Sequence, residues 1–509
     1  MKKIVSIWSL CAALLLATSC EQGFDELNVN PNSPTALNPV LLLNNGILSS
    51  NFPTDAMVFE AGIVQQIISP NGTVLAGANF NVDNKARNAG NWNTYFQNAN
   101  RHLVDVIEQT RSNTNRSNLY HAARIWRANI MMILTDTYGD IPYTEAGLGY
   151  LKGVSFPKYD KQEAVYNDII KELTEAAAGL DAAKTRETGE IMYAGDVVKW
   201  RRLAYSLMLR AGMRLSAVNP TLARSTVERA VTGGVMQSNA DNAVIRLDAN
   251  YTNPTGSYVN GTEANNYYLT KPFVDQLKST NDPRLPAIAV RYKGAGSGAA
   301  QTAARADRTA ASQIGMPMGF DNSTVVGQAT RDGLTSFYEY SQLDRTRMGK
   351  IASPNYFVTF AQTQLLLAEA VVRGWTTGSA ATFYNAGVTA HMQQLAEYDA
   401  GSAIAAADIA AYLTANPYTE ARALEQINTQ YWIASFLNFP ETWANFRRSN
   451  FPMLAPNPYP GKAIQGNFIN RLAYPDAENS VNRTNLDAAI QSQGLRNIDD
   501  IDTPVWWDK

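Results

Sequence analysis

The chain has 509 residues, 45% hydrophobic and only 17% charged, with 43 Lys+Arg against 45 Asp+Glu for a formal net charge of −2. That balance disfavours nucleic acid as a partner, and the length suits one large domain or two intimately joined ones. Polarity comes instead from abundant Asn, Gln, Ser and Thr beside 24 Tyr and 9 Trp, a surface suited to neutral polar ligands.

The chain opens on a positive n-region, Lys2 and Lys3, followed by an apolar stretch from Ile4 to Ala17 that is too short and too early to be a spanning helix. Thr18 and Ser19 then supply the small residues a signal peptidase needs. The pattern predicts residues 1–19 as a cleaved signal and Cys20 as the first mature residue, its thiol the nucleophile for diacylglycerol transfer in bacterial lipoproteins. Ala17 stands where such boxes usually carry leucine, with Leu16 one place earlier. Multiple acyl chains anchor stably, and no later stretch approaches the ~20 apolar residues of a membrane span, so the lipid alone is expected to reach the membrane. The signal carries off two lysines and Cys11, which leaves a net charge near −4 and no cysteine free for a disulfide.

Residues 20–38 are polar and rich in Asn and Pro, and read as a flexible tether from the lipid to the first helix. Helical periodicity then dominates. Tyr166, Ile169, Ile170, Leu173, Ala177 and Leu180 share one stripe, as do Trp200, Leu203, Ala204, Leu207, Ala211 and Leu215. Val358, Ala361, Leu365, Ala368 and Val372 predict a helix closed by Gly374, and Leu424, Ile427, Tyr431 and Ala434 predict another ending near Pro440. Shorter helical patterns cover 95–110, 119–136, 221–232, 380–396 and 407–415, and strand-like alternation is sparse. Neighbouring helices with short breaks predict a mainly α fold, an αα-superhelix of degenerate helix pairs without a clean ~34-residue repeat. The helical scaffold is placed mainly at 39–232 and 351–449 of a single 39–509 domain. Loop-rich parts are expected at 233–350, with GAGSGAAQTAARADR (294–308) as an exposed mobile loop, and at 450–509. Long irregular segments are where binding surfaces are sought.

Chemistry is scarce. His102, His121 and His391 are each alone within a helical pattern and read as satisfied surface or core residues, not metal ligands. There is no G-x-S-x-G elbow, no phosphate-binding loop and no strand-coupled G-x-G-x-x-G, so no cofactor or metal is expected. Asp136 and Asp140 flank the turn in TDTYGDIPY and read as structural. Glu369 sits in an apolar helix and needs a buried partner, for which Arg447 and Arg448 are the candidates for a structural ion pair. A glycosidase pair of carboxylates need not be adjacent in sequence, so a lipid-anchored hydrolase stays open as an alternative.

Seven segments carry a family likeness: LTDTYGDIPYTEA (134–146), WRRLAYSLMLRAGMRLS (200–216), NDPRLP (281–286), LLLAEAVVRGW (365–375), ETWANFRRSNFP (441–452), RLAYPDAENSVN (471–482) and PVWWD (504–508). In this order, behind a lipoprotein signal, they resemble the SusD/RagB family of outer-membrane nutrient-binding lipoproteins, particularly its SusD-like branch. The resemblance implies tetratricopeptide-like helix pairs with a loop-rich second part, and a position at the outer membrane facing outward. It also implies a partner, a SusC-like TonB-dependent transporter over which the protein sits as a hinged lid, delivering oligosaccharides, or in some members peptides, without chemical change. Glu21, Asp25 and Glu26 resemble the surface-export signal of such lipoproteins.

Sugars present C–H faces that stack on aromatic rings and hydroxyls that need amide or guanidinium partners. NFNVDNKARNAGNWNTYF (79–96) combines these, with Asn79, Phe80 and Arg87 in a loop before Trp92 and Tyr95. The resemblance implies sugar contact by an aromatic of this neighbourhood; equally, Trp92 and Tyr95 can staple the helix they begin. YTNPTGSYVNGTEANNYY (251–268) offers Tyr258 and Tyr267, flanked by Tyr251 and Tyr268, for ligand or for transporter contact. Trp506 and Trp507 are expected to pack. A purely structural envelope protein is the remaining alternative, and predicts neither ligand nor barrel.

Overall fold

The computed structural model describes residues 37–496 and 499–508. Cys20, the 1–19 signal and all of the 20–38 tether before Leu37 lie outside them. The first half is a run of helices, α1 (Pro39–Leu48), α2 (Arg101–Thr110), α3 (Ser117–Tyr138), α4 (Gln162–Gly179), α5 (Val197–Arg214) and α6 (Pro220–Gly233). Each packs on the next from α1 through α6. The predicted stripes face inward: Tyr166, Ile169, Leu173 and Ala177 on α4 and Leu203, Ala204, Leu207 and Ala211 on α5 are fully buried. Caps set the boundaries. The Asp196 side chain accepts from the amides of Val198 and Lys199 at 2.9 and 3.2 Å, and Asn219 caps α6 ahead of Pro220.

Between the halves come α7 (Pro254–Asn260), α8 (Lys271–Ser279) and α9 (Thr324–Arg331), and then α10 (Phe360–Val372), α11 (Ala380–Gln394), α12 (Ala406–Ala415), α13 (Ala423–Ala434) and α14 (Phe439–Ser449). α10 opens on a capping box between Thr359 and Gln362, packs on α5, α11 and α13, and so joins the two halves. The mainly α array of degenerate tetratricopeptide-like pairs is the observed architecture. Pro440 does not close a helix; it occupies the first turn of α14, where its missing N–H costs nothing. Residues 93–100 are π-helical before α2 begins, so the expected 95–110 helix is two pieces.

Nine short strands, β1 (Ile67–Ile68), β2 (Ile141–Pro142), β3 (Tyr159–Asp160), β4 (Ala243–Ile245), β5 (Tyr268–Leu269), β6 (Ala289–Tyr292), β7 (Ala306–Asp307), β8 (Gln342–Leu343) and β9 (Asn355–Val358), occur among the described residues. They pair as β1·β5, β2·β3, β4·β9 and the sheet β7-β6-β8. The 294–308 segment is therefore not a free loop: it turns back as β7 on β6, fixed by Arg305 donating to the carbonyls of Lys293 and Gly294 at 3.0 and 2.9 Å. The 450–509 part also carries α15 (Asp476–Val481) and α16 (Arg483–Gln493). Its last residues close the core: Trp507 is 1% exposed and its indole donates to Asp136 at 2.8 Å, a carboxylate that also takes Tyr166 Oη at 2.5 Å and Arg214 at 3.1 Å. Asp140 accepts from the Gln162 amide and Ser492 Oγ at 2.9 and 2.7 Å. No helix of the described residues is long and apolar enough to cross a membrane.

Candidate ligand-binding site

The loop from Gly77 to Trp92 is the hub of the candidate site. Gly77 lies so close to the preceding helical turn that a Cβ would stand 2.6 Å from Val58 Cγ1 and 2.8 Å from Val58 O, which leaves glycine as the residue that fits. Asn79 is 4% exposed, and its amide is spent on the loop itself, donating to Ser69 O and Phe320 O at 2.9 and 3.1 Å and accepting from Gly319 N at 2.9 Å. Asn457 returns the tie, donating to the carbonyls of Ala78 and Asn79 at 3.1 and 2.9 Å. Phe80 is buried with its ring edge-on to Tyr459, centroids 4.9 Å apart. Asn79 and Phe80 thus form a junction of three loops rather than direct ligand contacts, because both are consumed in holding 69–81, 318–321 and 455–459 together.

Trp92 and Tyr95 are likewise turned inward, at 5% and 0% exposure. Trp92 packs against Phe96, Tyr138, Tyr159 and Tyr474 with centroids 4.6, 5.2, 6.1 and 5.9 Å away. An indole enclosed by four rings offers no face to a sugar, so of the two readings of this pair the structure realises the staple. The neighbouring Asn91 donates its Nδ2 to the buried Glu60 at 2.5 Å. Burial pushes the Glu60 carboxyl up to about 7, against its backbone bond and the Asn91 amide.

The structure does bring Arg87, Tyr258 and Tyr267 together. Arg87 pairs with Asp55 at 3.1 Å, each about a quarter exposed. Burial opposes the Arg87 charge, but Asp55 and the neighbouring Tyr258 and Tyr267 hydroxyls hold its pKa above the usual arginine value. The two tyrosine rings lie 5.8 Å apart at 47°, with Tyr258 half-buried and Tyr267 buried. Their hydroxyls face one another, both oxygens are buried, and no third group among the described residues bonds either. This gives a half-buried aromatic ring beside a neutralised ion pair, which suits the C–H face of an uncharged ligand. Asp55 was not foreseen: it lies outside both aromatic-rich segments, and no sequence signal links it to Arg87. Tyr459 belongs to the 450–509 part, whose sequence shows only Pro- and Asn-rich loop character.

The ion pair on α10 is more specific than expected. Arg448 grips both oxygens of Glu369 at 2.7 Å, Arg373 adds a contact at 2.8 Å and Asn428 one at 3.1 Å. Burial opposes ionisation, but the two guanidiniums hold the Glu369 carboxyl down at about 2. Arg447 takes no part. It donates to the carbonyls of Asn470 and Asp136 at 2.6 and 2.7 Å and lies over Trp443 and Trp507 at 3.9 and 4.9 Å, because successive residues of a helix point about 100° apart.

Comparison with known proteins follows the same lines. A family model, SusD-like, described as starch-binding and associating with the outer membrane, matches residues 31–475. Among solved structures, a chitin-binding protein superposes with a TM-score of 0.81 at 29% identity, over 93% of this chain and 100% of that one. A Bacteroidetes SusD-like protein gives 0.80 at 28% identity, over 93% and 100% of the two chains. A SusD homologue from Bacteroides uniformis gives 0.75 at 24%, over 92% and 98%, and shows the shared fold. Among curated proteins none matches. With a family model spanning most of its length, the chain belongs to the SusD-like family.

Proposed function

We propose that the protein is a cell-surface lipoprotein, anchored through Cys20, that binds oligosaccharides without cleaving them and delivers them to a SusC-like TonB-dependent transporter as its lid. The observation that carries the ligand class is the Arg87–Tyr258–Tyr267 cluster, where Asp55 pairs the Arg87 guanidinium and the half-buried Tyr258 ring is open to stacking. The family description, starch-binding at the outer membrane, and the chitin-binding relative support the same class. For the non-catalytic reading, the support is that the carboxylates around the cluster are each engaged, Asp55 by Arg87, Glu60 by Asn91 behind 1% exposure and Glu263 by Asn266 at 2.6 Å, and that the structural relative is described as a binding protein.

The test is affinity across a panel of plant, fungal and microbial oligosaccharides, repeated with Tyr258→Ala and with Trp92→Ala. Tyr258→Ala should weaken binding by about tenfold, as loss of a stacking ring does. Trp92→Ala should act mainly on stability. Release of shorter products from any bound glycan would sink the non-catalytic reading, and failure of every glycan to bind would sink the ligand class. Co-purification with a TonB-dependent barrel encoded alongside tests the partner.

A further inference from the structure

Four cations, Lys293, Arg305, Arg308 and Arg347, line one open depression beside the β7-β6-β8 sheet, of about 1260 Å³ counting the solvent at its mouth. Two carboxylates answer them. Lys293 pairs with Asp307, and the fully buried Asp344 takes Arg308 Nε at 2.5 Å and Arg347 Nε at 3.6 Å on the same oxygen. Arg305 meets no carboxylate within ion-pair distance among the described residues and donates to the carbonyls of Lys293 and Gly294. Neighbouring acids do not cancel the surplus, because Glu339 is matched by Arg291 at 3.0 Å and Asp399 by Lys350 at 2.7 Å. Four cations against Asp307 and Asp344 leave the depression at +2, in a chain whose formal charge is −2.

One guanidinium would satisfy Asp344. Holding a second on the same oxygen, with Arg305 unpaired in the same depression, costs repulsion that an incoming anion relieves. The guanidiniums are also pinned, since Arg308 Nη2 donates to Thr346 Oγ1 at 3.1 Å and Arg347 Nη1 to Pro286 O at 3.1 Å. That leaves Arg308 Nη1, Arg347 Nη2 and two nitrogens of Arg305 without an acceptor among the described residues. Planar N–H edges held in place match the oxygens of a carboxylate or a sulfate. No aromatic ring of the described residues lines the depression, so what it suits is a charged substituent and not a sugar ring. A ring has its place close by. Arg345, two residues before Arg347, lines the small cavity behind Tyr267, and Asn260 of α7, the helix that carries Tyr258, donates to Gly349 O at 2.7 Å. We propose that this depression is an oxyanion subsite that makes the protein prefer oligosaccharides bearing uronate or sulfate groups, with an uncharged part of the glycan on Tyr258. The inference rests on the oligosaccharide-binding reading above.

Tetragalacturonate and its methyl ester share one backbone and differ in charge, and a sulfated galactan tetrasaccharide with its desulfated form makes a second matched pair. Titration calorimetry on the mature chain at about 50 mM salt should show the charged member of a pair bound at least about tenfold more tightly than its neutral partner, the worth of one charge-assisted hydrogen bond. The gap should close as salt is raised to about 0.5 M, and the pair that shows it tells carboxylate from sulfate. Arg305→Glu should erase the preference while leaving the neutral member within about twofold. Arg305→Gln, which keeps a donor for the Lys293 and Gly294 carbonyls, gives the same reading should the glutamate variant not fold. A preference that survives both substitutions, or charged and neutral members bound alike by the wild type, reduces these cations to loop fasteners and overturns the proposal while the oligosaccharide reading stands. Adhesion to phosphatidylglycerol vesicles without a preference for either charged sugar assigns the face to a lipid surface and overturns it as well. If no glycan binds, charged or neutral, both readings fall together.

Discussion

Glu369 and Glu60 are both buried carboxylates, and they act on the fold with opposite signs. Glu369, held at about 2 by Arg448 and Arg373 in spite of burial, ionises more readily folded than unfolded, where its value is near 4.5. Its stabilisation is therefore complete above about pH 4.5 and is lost as pH falls toward 2. Glu369→Gln should cost about 3 kcal/mol at pH 7 by denaturant unfolding, shrinking as the pH is lowered to 3. Glu60 is raised by burial to about 7 from 4.5. The unfolded chain releases that proton first, so the folded state is penalised increasingly as pH rises from 4.5 to 7. Glu60→Gln, which keeps an oxygen for Asn91, should match wild type at pH 4 and exceed it by about 2–3 kcal/mol at pH 8. Equal destabilisation at both pH values would mean that the Asn91 bond, not the charge, governs this site. Arg447 and Arg448 show the limit of reading single residues. Both were plausible partners for Glu369, and only the helical phase of α14 decides that Arg448 faces it.

At the scale of elements, legibility follows the range of the interactions. α4, α5, α10 and α13 were readable because a buried face repeats every 3.6 residues within one local stretch. The strands were not, since elements of two to four residues carry no usable alternation and are defined by pairing, as when Ile67 meets Leu269. The inward orientation of Asn79, Phe80, Trp92 and Tyr95 escapes the sequence for the same reason. Asn79 and Trp92 carry the right chemistry, but their exposure depends on Phe320, Asn457 and Tyr474, hundreds of residues away. One contact between elements is testable directly. Gly387 of α11 faces α10 so closely that a Cβ would stand 2.7 Å from Leu365 Cγ and 3.0 Å from Ala361 O. Gly387→Val should lower the urea midpoint by an amount worth about 1–3 kcal/mol with an unchanged slope, whereas an unchanged midpoint would show that the two helices can separate without cost.

For the whole molecule, one hydrophobic core takes residues from Val40 to Trp507 and joins the two helical halves, while two smaller clusters, around Tyr268, Met316 and Tyr340 and around Val290 and Tyr292, lie in the loop-rich part. Helices α5 and α10 tie the two halves through that core, so under the proposed lid role the hinge is expected at the attachment rather than between the halves. If the protein is a lid, the attachment is Cys20, and the 20–38 segment sets its reach at no more than about 65 Å fully extended. That separates two properties a single mutation can test. The Arg87–Tyr258–Tyr267 cluster is built from described residues alone, so purified Cys20→Ala protein should bind oligosaccharide with affinity within about twofold of wild type. Cells carrying it should nevertheless lose growth on that glycan, because an unanchored lid diffuses away from its barrel and the effective concentration supplied by the tether is gone. Retained uptake would mean that contact with the barrel suffices without the lipid, and lost binding in solution would place Cys20 in the ligand site itself.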